Sequence, residues 1–419
     1  MTMTLTAEKL ALQGGAPIRT KPFPAWPVWG SEEEEAVLRA LNSGKWGRID
    51  GSEVAAFEQE FARYHDAEYG VAMTNGSVSL RLALVGAGIR AGDEVIVPPY
   101  TFLATATTVV EANAVPVFVD IDPDSYCLDP VRVEEAITPR TRAIVVVHLG
   151  GQAADMDALT DIARRHNLTL IEDAAHAHGG EYKGRKLGSI GDVGSFSFQA
   201  SKNMTAGEGG ILITNNEEHE RMARSLHNCG RVANGTWYAH EYLGGNNRMT
   251  EIQAAILRCQ LARLEEQTAR RDANGRYLNE QLAKIPGIRP LPRGLGETLH
   301  PYHLYVFRYD AAAWDGLPRG TFVKALTAEG VASSEGYPIA LYRQPVFARK
   351  QFGPYSGAAD GYLADPEANA ARCPVAERVC SAEGCWLFQN QMLGTREDMD
   401  DIARAVARVY EKRRDLLEA

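Results

Sequence analysis

The sequence has few cysteines, and their spacing suggests neither a disulfide framework nor a zinc site. Its six cysteines include no Cys-x-x-Cys pair, whereas disulfide-rich domains and structural zinc sites depend on closely spaced cysteines. We therefore expect reduced thiols, no metal and a cytoplasmic protein. The sequence also lacks an apolar run approaching the ~18 residues of a membrane span. Its first residues lack the basic start and apolar block of a secretory signal peptide.

The sequence also has fewer basic than acidic residues. The 44 lysines and arginines are outnumbered by 54 aspartates and glutamates, which gives a formal net charge of −10. Because such a surface repels phosphate groups and anionic lipids, we expect neither a nucleic-acid nor a membrane partner. The composition is otherwise that of an ordinary globular protein, with 45% hydrophobic and 23% charged residues.

From about residue 70, short apolar and β-branched runs alternate with stretches of helical periodicity. This alternation is typical of parallel βαβ units, in which helices cover both faces of the sheet. Strands are predicted at 70–73, 94–97, 116–120, 143–148, 169–172, 194–198 and 210–214. Helices are predicted between them at 77–86, 104–112, 156–165 and 217–226. The pattern predicts an α/β fold built on a mainly parallel seven-stranded sheet.

The two ends of the chain depart from this pattern, and 419 residues allow two or three domains. Thr250 and Gln253 form a capping box that starts a long helix. The other elements predicted outside the sheet region are a helix at 32–41, a strand at 303–308, a helix at 321–329, a loop at 352–362 and a terminal helix from 396 to about 416. We predict an irregular leader over 1–30, a large domain over 31–270 and a smaller C-terminal α/β domain over 271–419.

Two reactive side chains follow strands of the predicted sheet. Asp173 comes directly after the apolar run 168–172, and Lys202 comes between the strand 194–198 and a glycine-rich loop. Ligands of open α/β sheets bind beyond the carboxyl ends of the strands, so both side chains could face one crevice. The carboxylate could hold a cationic ring nitrogen or simply cap a turn. A lysine desolvated at that position could act as an amine nucleophile, although most loop lysines are exposed.

A second group of residues fits phosphate binding. Gly76 and Ser77 start a predicted helix after a strand, and the N–H groups of a helix start bind phosphate. Ser197 lies five residues before Lys202 and could reach the same phosphate, while Ser77 could also be a plain N-cap. The aromatic segment Tyr100-Thr101-Phe102 follows another strand and could stack on a flat cofactor or pack in the core. Together these features match pyridoxal 5′-phosphate (PLP), which needs a Schiff-base lysine and a carboxylate at its ring nitrogen.

Five motifs resemble those of the DegT/StrS-type sugar and cyclitol aminotransferases, which have the fold of type I PLP enzymes. They are Gly-Asp-Glu-Val-Ile-Val-Pro at 92–98, Thr-Phe at 101–102, Pro-Val-Phe-Val-Asp at 116–120, Glu-Asp-Ala-Ala-His at 172–176 and Gly-Glu-Gly-Gly at 207–210. The resemblance covers nearly the whole chain and is densest from about 70 to 260. It implies the fold predicted above, with a seven-stranded sheet and a smaller C-terminal domain.

The resemblance also implies a role for each site residue. Lys202 would form the Schiff base with the cofactor, and Asp173 would pair with the ring nitrogen. Phe102 would stack on the ring, and His176 would lie near the ring hydroxyl. The residues implied in holding the phosphate are Gly76, Ser77, Val78 and Ser197.

In this family the neighbouring subunit completes the phosphate site, so the resemblance implies a homodimer with shared active sites. The corresponding segment here is 245–248, which contains Asn246 and Arg248. Many nucleotide-sugar members resemble Asn-Leu-Thr-Asp where this chain has Arg-Met-Thr-Glu at 248–251. We therefore expect Asn246 to reach the partner's phosphate, with Arg248 as a second candidate.

Further motifs resemble the branch that contains glutamine:scyllo-inosose aminotransferases and 3-amino-5-hydroxybenzoate synthases. These are Ser-Phe-Gln at 197–199, Asn-Cys-Gly-Arg at 228–231 and the segment 302–308. Tyr342 and Arg343 also fit that branch, in which they would line the substrate pocket. The alternative is that Tyr342 is a packed aromatic and Arg343 a surface arginine beside it.

The implied activity is transfer of an amino group from L-glutamine or L-glutamate to a keto-cyclitol or keto-sugar, in aminocyclitol, aminosugar or antibiotic biosynthesis. The alternatives are a dehydratase of the aminohydroxybenzoate type, a nucleotide-sugar aminotransferase and a non-catalytic PLP-binding regulator. Lys202 argues against the regulator, because a protein without catalysis has no need of a Schiff-base lysine.

Overall fold

Seven strands form one mainly parallel sheet at the centre of the larger hydrophobic cluster. The computed structural model describes residues 9–294, 296–355 and 365–418. The strands of this part of the chain are β1 (Tyr69–Met73), β2 (Glu94–Val97), β3 (Val115–Phe118), β4 (Thr141–Val147), β5 (Thr169–Asp173), β6 (Glu181–Tyr182), β7 (Arg185–Lys186), β8 (Val193–Ser197), β9 (Gly210–Thr214), β10 (Ile288–Pro290), β11 (Glu297–Leu299), β12 (Leu304–Tyr309) and β13 (Gly384–Phe388).

The large sheet has the order β1-β9-β8-β5-β4-β2-β3. Its strands β8, β5, β4, β2 and β3 run parallel to one another, whereas β9 is antiparallel to both of its neighbours. The predicted α/β fold with a mainly parallel seven-stranded sheet is confirmed, and each predicted strand lies within two residues of its observed bounds. The carboxyl ends of β5 and β8 are neighbours at one edge of this sheet.

Helices cover the sheet and connect its strands. Those of the described residues are α1 (Ser31–Asn42), α2 (Glu53–Tyr64), α3 (Gly76–Gly86), α4 (Ala104–Glu111), α5 (Pro130–Glu135), α6 (Met156–His166), α7 (Glu217–His227), α8 (Glu251–Ala262), α9 (Leu264–Leu282), α10 (Arg319–Ala328), α11 (Pro345–Ala348), α12 (Pro366–Arg372), α13 (Pro374–Arg378), α14 (Arg396–Glu411) and α15 (Arg413–Leu417). The four helices predicted between the strands are α3, α4, α6 and α7. Each is amphipathic or apolar enough to bury one face against the sheet.

The long helix predicted from Thr250 starts there but is not continuous. Thr250 and Gln253 make the reciprocal capping bonds of a capping box. The chain then leaves helical geometry at Arg263, which has φ −105° and ψ −1°. The guanidinium of Arg263 donates to the carbonyl of Val28 and to Glu33, so this residue ties the break to the start of α1. The result is two helices, α8 and α9, instead of one.

A second hydrophobic cluster surrounds the three-stranded sheet β10-β12-β13. It includes Leu278 and Leu282 from the end of α9, Phe322 from α10 and Ile402 from α14, and it also buries Leu10 of the leader. The domain boundaries at residues 30 and 270 stay a prediction. Of the loop predicted over 352–362, residues 356–362 lie outside the described residues, and Gly353–Tyr355 forms a single 3₁₀ turn.

None of the described helices is long and apolar enough to cross a membrane. The six cysteines are all free thiols. Within the described ranges, no group of three or more histidine, cysteine, aspartate or glutamate side chains is placed to hold a metal ion.

Candidate active site

A cavity of about 890 Å³ lies beyond the carboxyl ends of β5 and β8, where the large sheet meets β12 and β13. Most of the residues predicted for the site line it, although they come from four different segments of the chain. These residues are Gly76, Ser77, Phe102, Asp173, His176, Ser197 and Lys202. The other predicted residues do not line the cavity in this chain, namely Val78, Asn246, Arg248, Tyr342 and Arg343.

Lys202 and Asp173 share this cavity. Lys202 follows β8 in a tight turn, in which its amide donates to the carbonyl of Gln199 at 2.9 Å. Desolvation lowers the pKa of Lys202 to about 8, and the charge of Asp173 opposes part of that shift. A lysine amine with such a pKa is neutral in about a tenth of molecules at pH 7, far more than at its ordinary pKa of 10.5, and can therefore react as a nucleophile.

Asp173 is the last residue of β5 and is buried. Burial raises the pKa of its carboxyl, while a hydrogen bond from Thr105 and the charge of Lys202 lower it. Thr105 Oγ1 donates to Asp173 Oδ2 at 2.8 Å, and the Ala175 amide donates to Oδ1 at 3.3 Å. These donors favour the ionised carboxylate in an apolar setting, which is the form that can hold a cationic ring nitrogen.

The start of α3 forms a cradle that fits a phosphate group. A Cβ at Gly76 would lie 2.7 Å from Cβ of Ser197, so only glycine allows β8 and the helix start to approach this closely. Gly210 backs the same turn, because a Cβ there would lie 2.4 Å from backbone atoms of Asn75. The first N–H groups of a helix have no acceptor within the helix, and the hydroxyls of Ser77 and Ser197 line the cavity beside them.

The amide of Val78 is engaged by the protein itself. It donates to Oδ1 of Asn75, the N-cap residue of α3, at 2.9 Å. Val78 therefore stabilises the helix start in this structure, and its predicted bond to a phosphate stays a prediction. The sequence pointed to Ser77 as a possible N-cap, but Asn75 occupies that position.

Two histidines whose rings are in contact form one wall of the cavity. The rings of His176 and His303 lie 4.3 Å apart between centroids. Burial lowers the pKa of both rings well below the usual range, so both are neutral. The Gly150 amide donates to Nδ1 of His176 at 3.2 Å, which leaves the ring proton on Nε2. His176 can thus donate a hydrogen bond from Nε2, as its predicted role beside a ring hydroxyl requires.

The aromatic segment after β2 divides between the core and the cavity. Tyr100 is buried and packs edge-on against Tyr126, Tyr337 and Trp386. Phe102 lines the cavity and is 60% exposed in the single chain. Phe102 is therefore the ring available for stacking, as the family resemblance implies, and Tyr100 has the packing role.

Asn246 and Arg248 run beside the end of β1 without reaching the cavity of their own chain. Arg248 pairs with Met73 in a backbone bridge, and its guanidinium donates to Oδ1 of Asn228 at 2.8 Å. Asn246 forms a second backbone bridge with Asn228. Their predicted reach into a neighbouring subunit stays a prediction.

Tyr342 and Arg343 also lie away from the cavity. Tyr342 is buried with its ring edge-on to Phe118, and its hydroxyl donates to Glu377 at 2.7 Å. Arg343 pairs with Glu367 and Glu377. In this structure Tyr342 is a packed aromatic beside a half-buried, ion-paired arginine, and the predicted role of both residues in substrate binding stays a prediction.

Comparison with known families decides the classification. The model of the DegT/DnrJ/EryC1/StrS aminotransferase family matches residues 27–407. The chain belongs to this family. It is accordingly an enzyme that transfers amino groups, and the fold and the family resemblance expected from its sequence are confirmed.

Relatives within the DegT/DnrJ/EryC1/StrS family match nearly the full chain. The L-glutamine:2-deoxy-scyllo-inosose aminotransferase of Streptoalloteichus tenebrarius is 43% identical, with 96% of this chain and 97% of that protein covered. The enzyme of the same name from Streptomyces fradiae is 39% identical, with 97% of this chain and 99% of that protein covered. The crystal structure of 3-amino-5-hydroxybenzoic acid synthase superposes with a TM-score of 0.86 at 36% identity, covering 96% of this chain and all of that one.

Several residues of this aminotransferase line the cavity without having been found from the sequence. They are Trp26, Tyr337, Trp386, Gln389 and Asn390. Trp26 belongs to the leader, and its indole N–H donates to the Ala200 carbonyl at 3.0 Å, two residues before Lys202. Nothing in a proline-rich leader or a C-terminal strand indicates a site, because these residues reach the cavity only through the tertiary fold.

Two other residues support the site from behind. Thr105 lies in the first turn of α4, and its hydroxyl lies 3.1 Å from that of Thr101, a contact that the sequence does not indicate. Glu172 faces away from Asp173 because side chains alternate along a strand. Its carboxylate accepts from His148 Nε2 at 2.9 Å and from three amides of the segment 188–191. These bonds fix the end of β5 and thereby the position of Asp173.

Proposed function

We propose that this aminotransferase uses PLP to move an amino group from L-glutamine or L-glutamate to a keto-cyclitol or keto-sugar. The observation that carries the proposal is the meeting of the Lys202 amine and the Asp173 carboxylate in one cavity beside the helix start of α3. The names of the relatives support glutamine as donor and an inosose as acceptor. An aminocyclitol pathway, such as one leading to an antibiotic, would use this reaction.

The residues of the cavity fit PLP in charge and shape. The first turn of α3 and the hydroxyls of Ser77 and Ser197 would hold the phosphate. Asp173 would keep the proton on the ring nitrogen, and Nε2 of His176 would donate to the ring hydroxyl. The close approach of Gly76 to Ser197 would place the Ser197 hydroxyl beside the helix start, where it could reach the same phosphate, and a side chain at Gly76 would prevent that approach.

When bound, PLP would supply the electron sink that makes removal of the donor's α-proton possible. The protein's own part is proton transfer and positioning. The amine of Lys202 is neutral often enough to take the α-proton of the donor and to return a proton in the second half of the reaction. The neutral His176 and His303 take up no proton near neutral pH, so they do not compete with Lys202.

A dehydratase of the aminohydroxybenzoate type is the second candidate, because the solved synthase of that kind shares 36% identity and the same fold. The higher identity of 43% to an inosose aminotransferase favours the first proposal. The two activities are distinguished by the product, since only the aromatic product of the dehydratase gains strong ultraviolet absorbance.

We further propose a homodimer with shared sites. A groove of about 730 Å³ with an apolar lining lies between α1 and the loop that follows Lys202. Trp29 and Leu38 line it and are 64% and 54% exposed. A second copy that covers this groove would sit beside the cavity, so that its Asn246 and Arg248 could approach the phosphate cradle.

The amino-transfer proposal is tested on the purified protein with PLP. We expect a visible absorption that depends on Lys202, a change in that absorption when L-glutamine or L-glutamate is added, and its return when a keto-cyclitol follows. The variant Lys202→Ala is the control and should show no such cycle. Absence of any cofactor absorption with Lys202 intact would overturn the proposal, and an unchanged spectrum with both amino acids would overturn the donor assignment.

The shared site is tested by mixing two inactive variants. Lys202→Ala and the double variant Asn246→Ala/Arg248→Ala should each have low activity alone. If sites are shared, subunit exchange restores one intact site per heterodimer and part of the activity returns. Failure of activity to return after verified exchange would show that each site is built from one chain.

A further inference from the structure

Arg271 is a buried arginine without an acidic partner. It lies on α9, and its side chain has no exposed surface. Among the residues that the structure describes, no carboxylate lies within ion-pair distance of its guanidinium, and its Nη1 has no hydrogen-bond partner. An unpaired buried charge is strongly unfavourable unless something else stabilises it. The position of Arg271 therefore requires an explanation.

The partner of Arg271 is a residue of the active-site cavity. Nε of Arg271 donates to the backbone carbonyl of Gln389 at 3.3 Å, and Nη2 donates to its side-chain Oε1 at 2.6 Å. A guanidinium has only donors, so the amide oxygen of Gln389 must face Arg271 and its NH₂ group must face away. Gln389 lines the cavity, and its Nε2 donates to none of the described residues. Since Nε2 is also absent from the fully buried polar atoms, it is accessible. The bonds from Arg271 thus leave an amide donor available to a ligand.

The charge of Arg271 lies close behind the cavity wall. Burial lowers its pKa to about 9, so the guanidinium stays protonated at neutral pH. The ring of Trp26, which also lines the cavity, lies 5.3 Å from the guanidinium carbon. The described lining of the cavity contains no arginine and, besides Lys202, no lysine. Arg271 is therefore a positive charge directly behind the cavity wall that stays available when Lys202 reacts.

We propose that Gln389, oriented by Arg271, binds the carboxylate of the amino donor. The proposal rests on the proposed function, and it names the part of the cavity that recognises an α-amino acid. A hydrogen bond from a cation polarises the amide, so the NH₂ group of Gln389 becomes a stronger donor. A carboxylate gains from this donor and from the positive charge behind it, whereas an uncharged keto-cyclitol gains only an ordinary hydrogen bond. Gln389 is thus a determinant of donor affinity, and Arg271 is a positioning residue.

The variant that tests this with the least change in shape is Gln389→Glu. The new carboxylate keeps the bond to Arg271 and should preserve the fold, but it neutralises the guanidinium and presents an acceptor to the cavity. A second variant, Arg271→Met, removes the charge while keeping the volume of the buried side chain. The matched control is Gln391→Ala, since Gln391 is buried in the same turn but bonds only to the Ala332 carbonyl and the Phe388 amide. Thermal melting checks that each variant is folded.

Two readouts separate the donor from the acceptor. In the half-reactions of the PLP-loaded protein, Gln389→Glu should raise KM for L-glutamine by about tenfold or more, the size of one charge-assisted hydrogen bond, and leave KM for the keto-cyclitol unchanged. Arg271→Met should change KM in the same direction by a smaller factor. Calorimetric titration with glutarate, a carboxylate that has no amino group to react, should show the same loss of affinity. Gln391→Ala should change neither constant.

The outcomes distinguish this inference from the proposed function. If the wild-type protein fails to react with any amino donor, the function is wrong, yet the glutarate titration still tests the carboxylate site. If the wild type reacts and Gln389→Glu retains the wild-type KM for L-glutamine and the wild-type Kd for glutarate, the inference is overturned. It is also overturned if KM for donor and acceptor rise by the same factor, because Gln389 would then lack selectivity for the carboxylate.

Discussion

The hydroxyl of Thr105 donates a 2.8 Å hydrogen bond to Oδ2 of Asp173, across 68 residues of sequence. Burial alone would raise the pKa of this carboxyl, and the Thr105 bond works against that shift. The same bond fixes the plane of the carboxylate relative to the cavity. The ionisation and the orientation of Asp173 therefore both depend on the first turn of α4.

Replacing Thr105 by valine should impair catalysis more at low pH than at high pH. Without the donor, the pKa of Asp173 rises, so the acidic limb of the kcat/KM profile should move to higher pH. Loss of one hydrogen bond to a buried carboxylate should reduce kcat/KM by about tenfold near neutral pH. The control is Thr108→Val on the same helix, since the Thr108 hydroxyl donates only to the Ala104 carbonyl. An unshifted acidic limb in Thr105→Val would show that the bond is not needed.

Alanine should not be tolerated at Gly76. Its Cβ would lie 2.7 Å from Cβ of Ser197 and would push the helix start away from β8. We expect a loss of about 1–3 kcal/mol in the free energy of unfolding and a weaker affinity for PLP, measured by urea denaturation and cofactor titration. Gly86→Ala at the other end of α3 is the matched control, because its Cβ would make only a 3.6 Å contact with Met222. Equal effects of the two variants would show that the close approach of Gly76 to Ser197 is not required for stability or for PLP binding.

The lowered pKa of Lys202 predicts a pH-dependent stability of the cofactor-free protein. The pKa is about 8 when folded and near 10.5 in the unfolded chain. Below pH 8 both states carry the proton and the folded state bears the full desolvation penalty, about 3 kcal/mol. Between pH 8 and 10.5 the unfolded state binds more protons, so the free energy of unfolding rises with pH there.

The Lys202→Met variant makes this measurable by urea denaturation across that pH range. It should be more stable than the wild type at pH 7, and the difference should shrink as the pH approaches 10 because the wild-type lysine then folds uncharged. All other titrating groups are common to the two proteins and cancel in the difference. Parallel stability curves would mean that Lys202 titrates at its ordinary pKa.

Glutamine at position 172 should destabilise the fold. Each oxygen of Glu172 accepts two hydrogen bonds, from Ile190 and Gly191 at Oε1 and from His148 and Gly188 at Oε2. An amide NH₂ in place of either oxygen would face two donors. We expect a loss of about 3 kcal/mol in the free energy of unfolding, measured by urea denaturation. Glu135→Gln is the control, since its ion pair with Arg132 is exposed and should contribute less than about 1 kcal/mol.

The strands of the large sheet were predictable because each is a short apolar run whose neighbours are turn or helix residues. β5, for example, was predicted at 169–172 and observed at Thr169–Asp173. The break between α8 and α9 was not predictable, since the apolar spacing continues through Arg263. That break depends on contacts of Arg263 with Val28 and Glu33, which lie more than 200 positions earlier in the chain.

The sequence by itself determined the large sheet and placed Asp173 and Lys202 at strand ends, because local patterns encode strands and parallel strands align their carboxyl ends. It also identified Gly76, whose absent side chain is a local property. Only the tertiary structure decided which groups act on these residues. Thr105 reaches Asp173 because β2 and β5 lie on either side of β4. Arg271 reaches Gln389 across 118 residues because α9 packs against the turn that follows β13. Such long-range pairs leave no local pattern, since each partner is specified by a different segment of the chain.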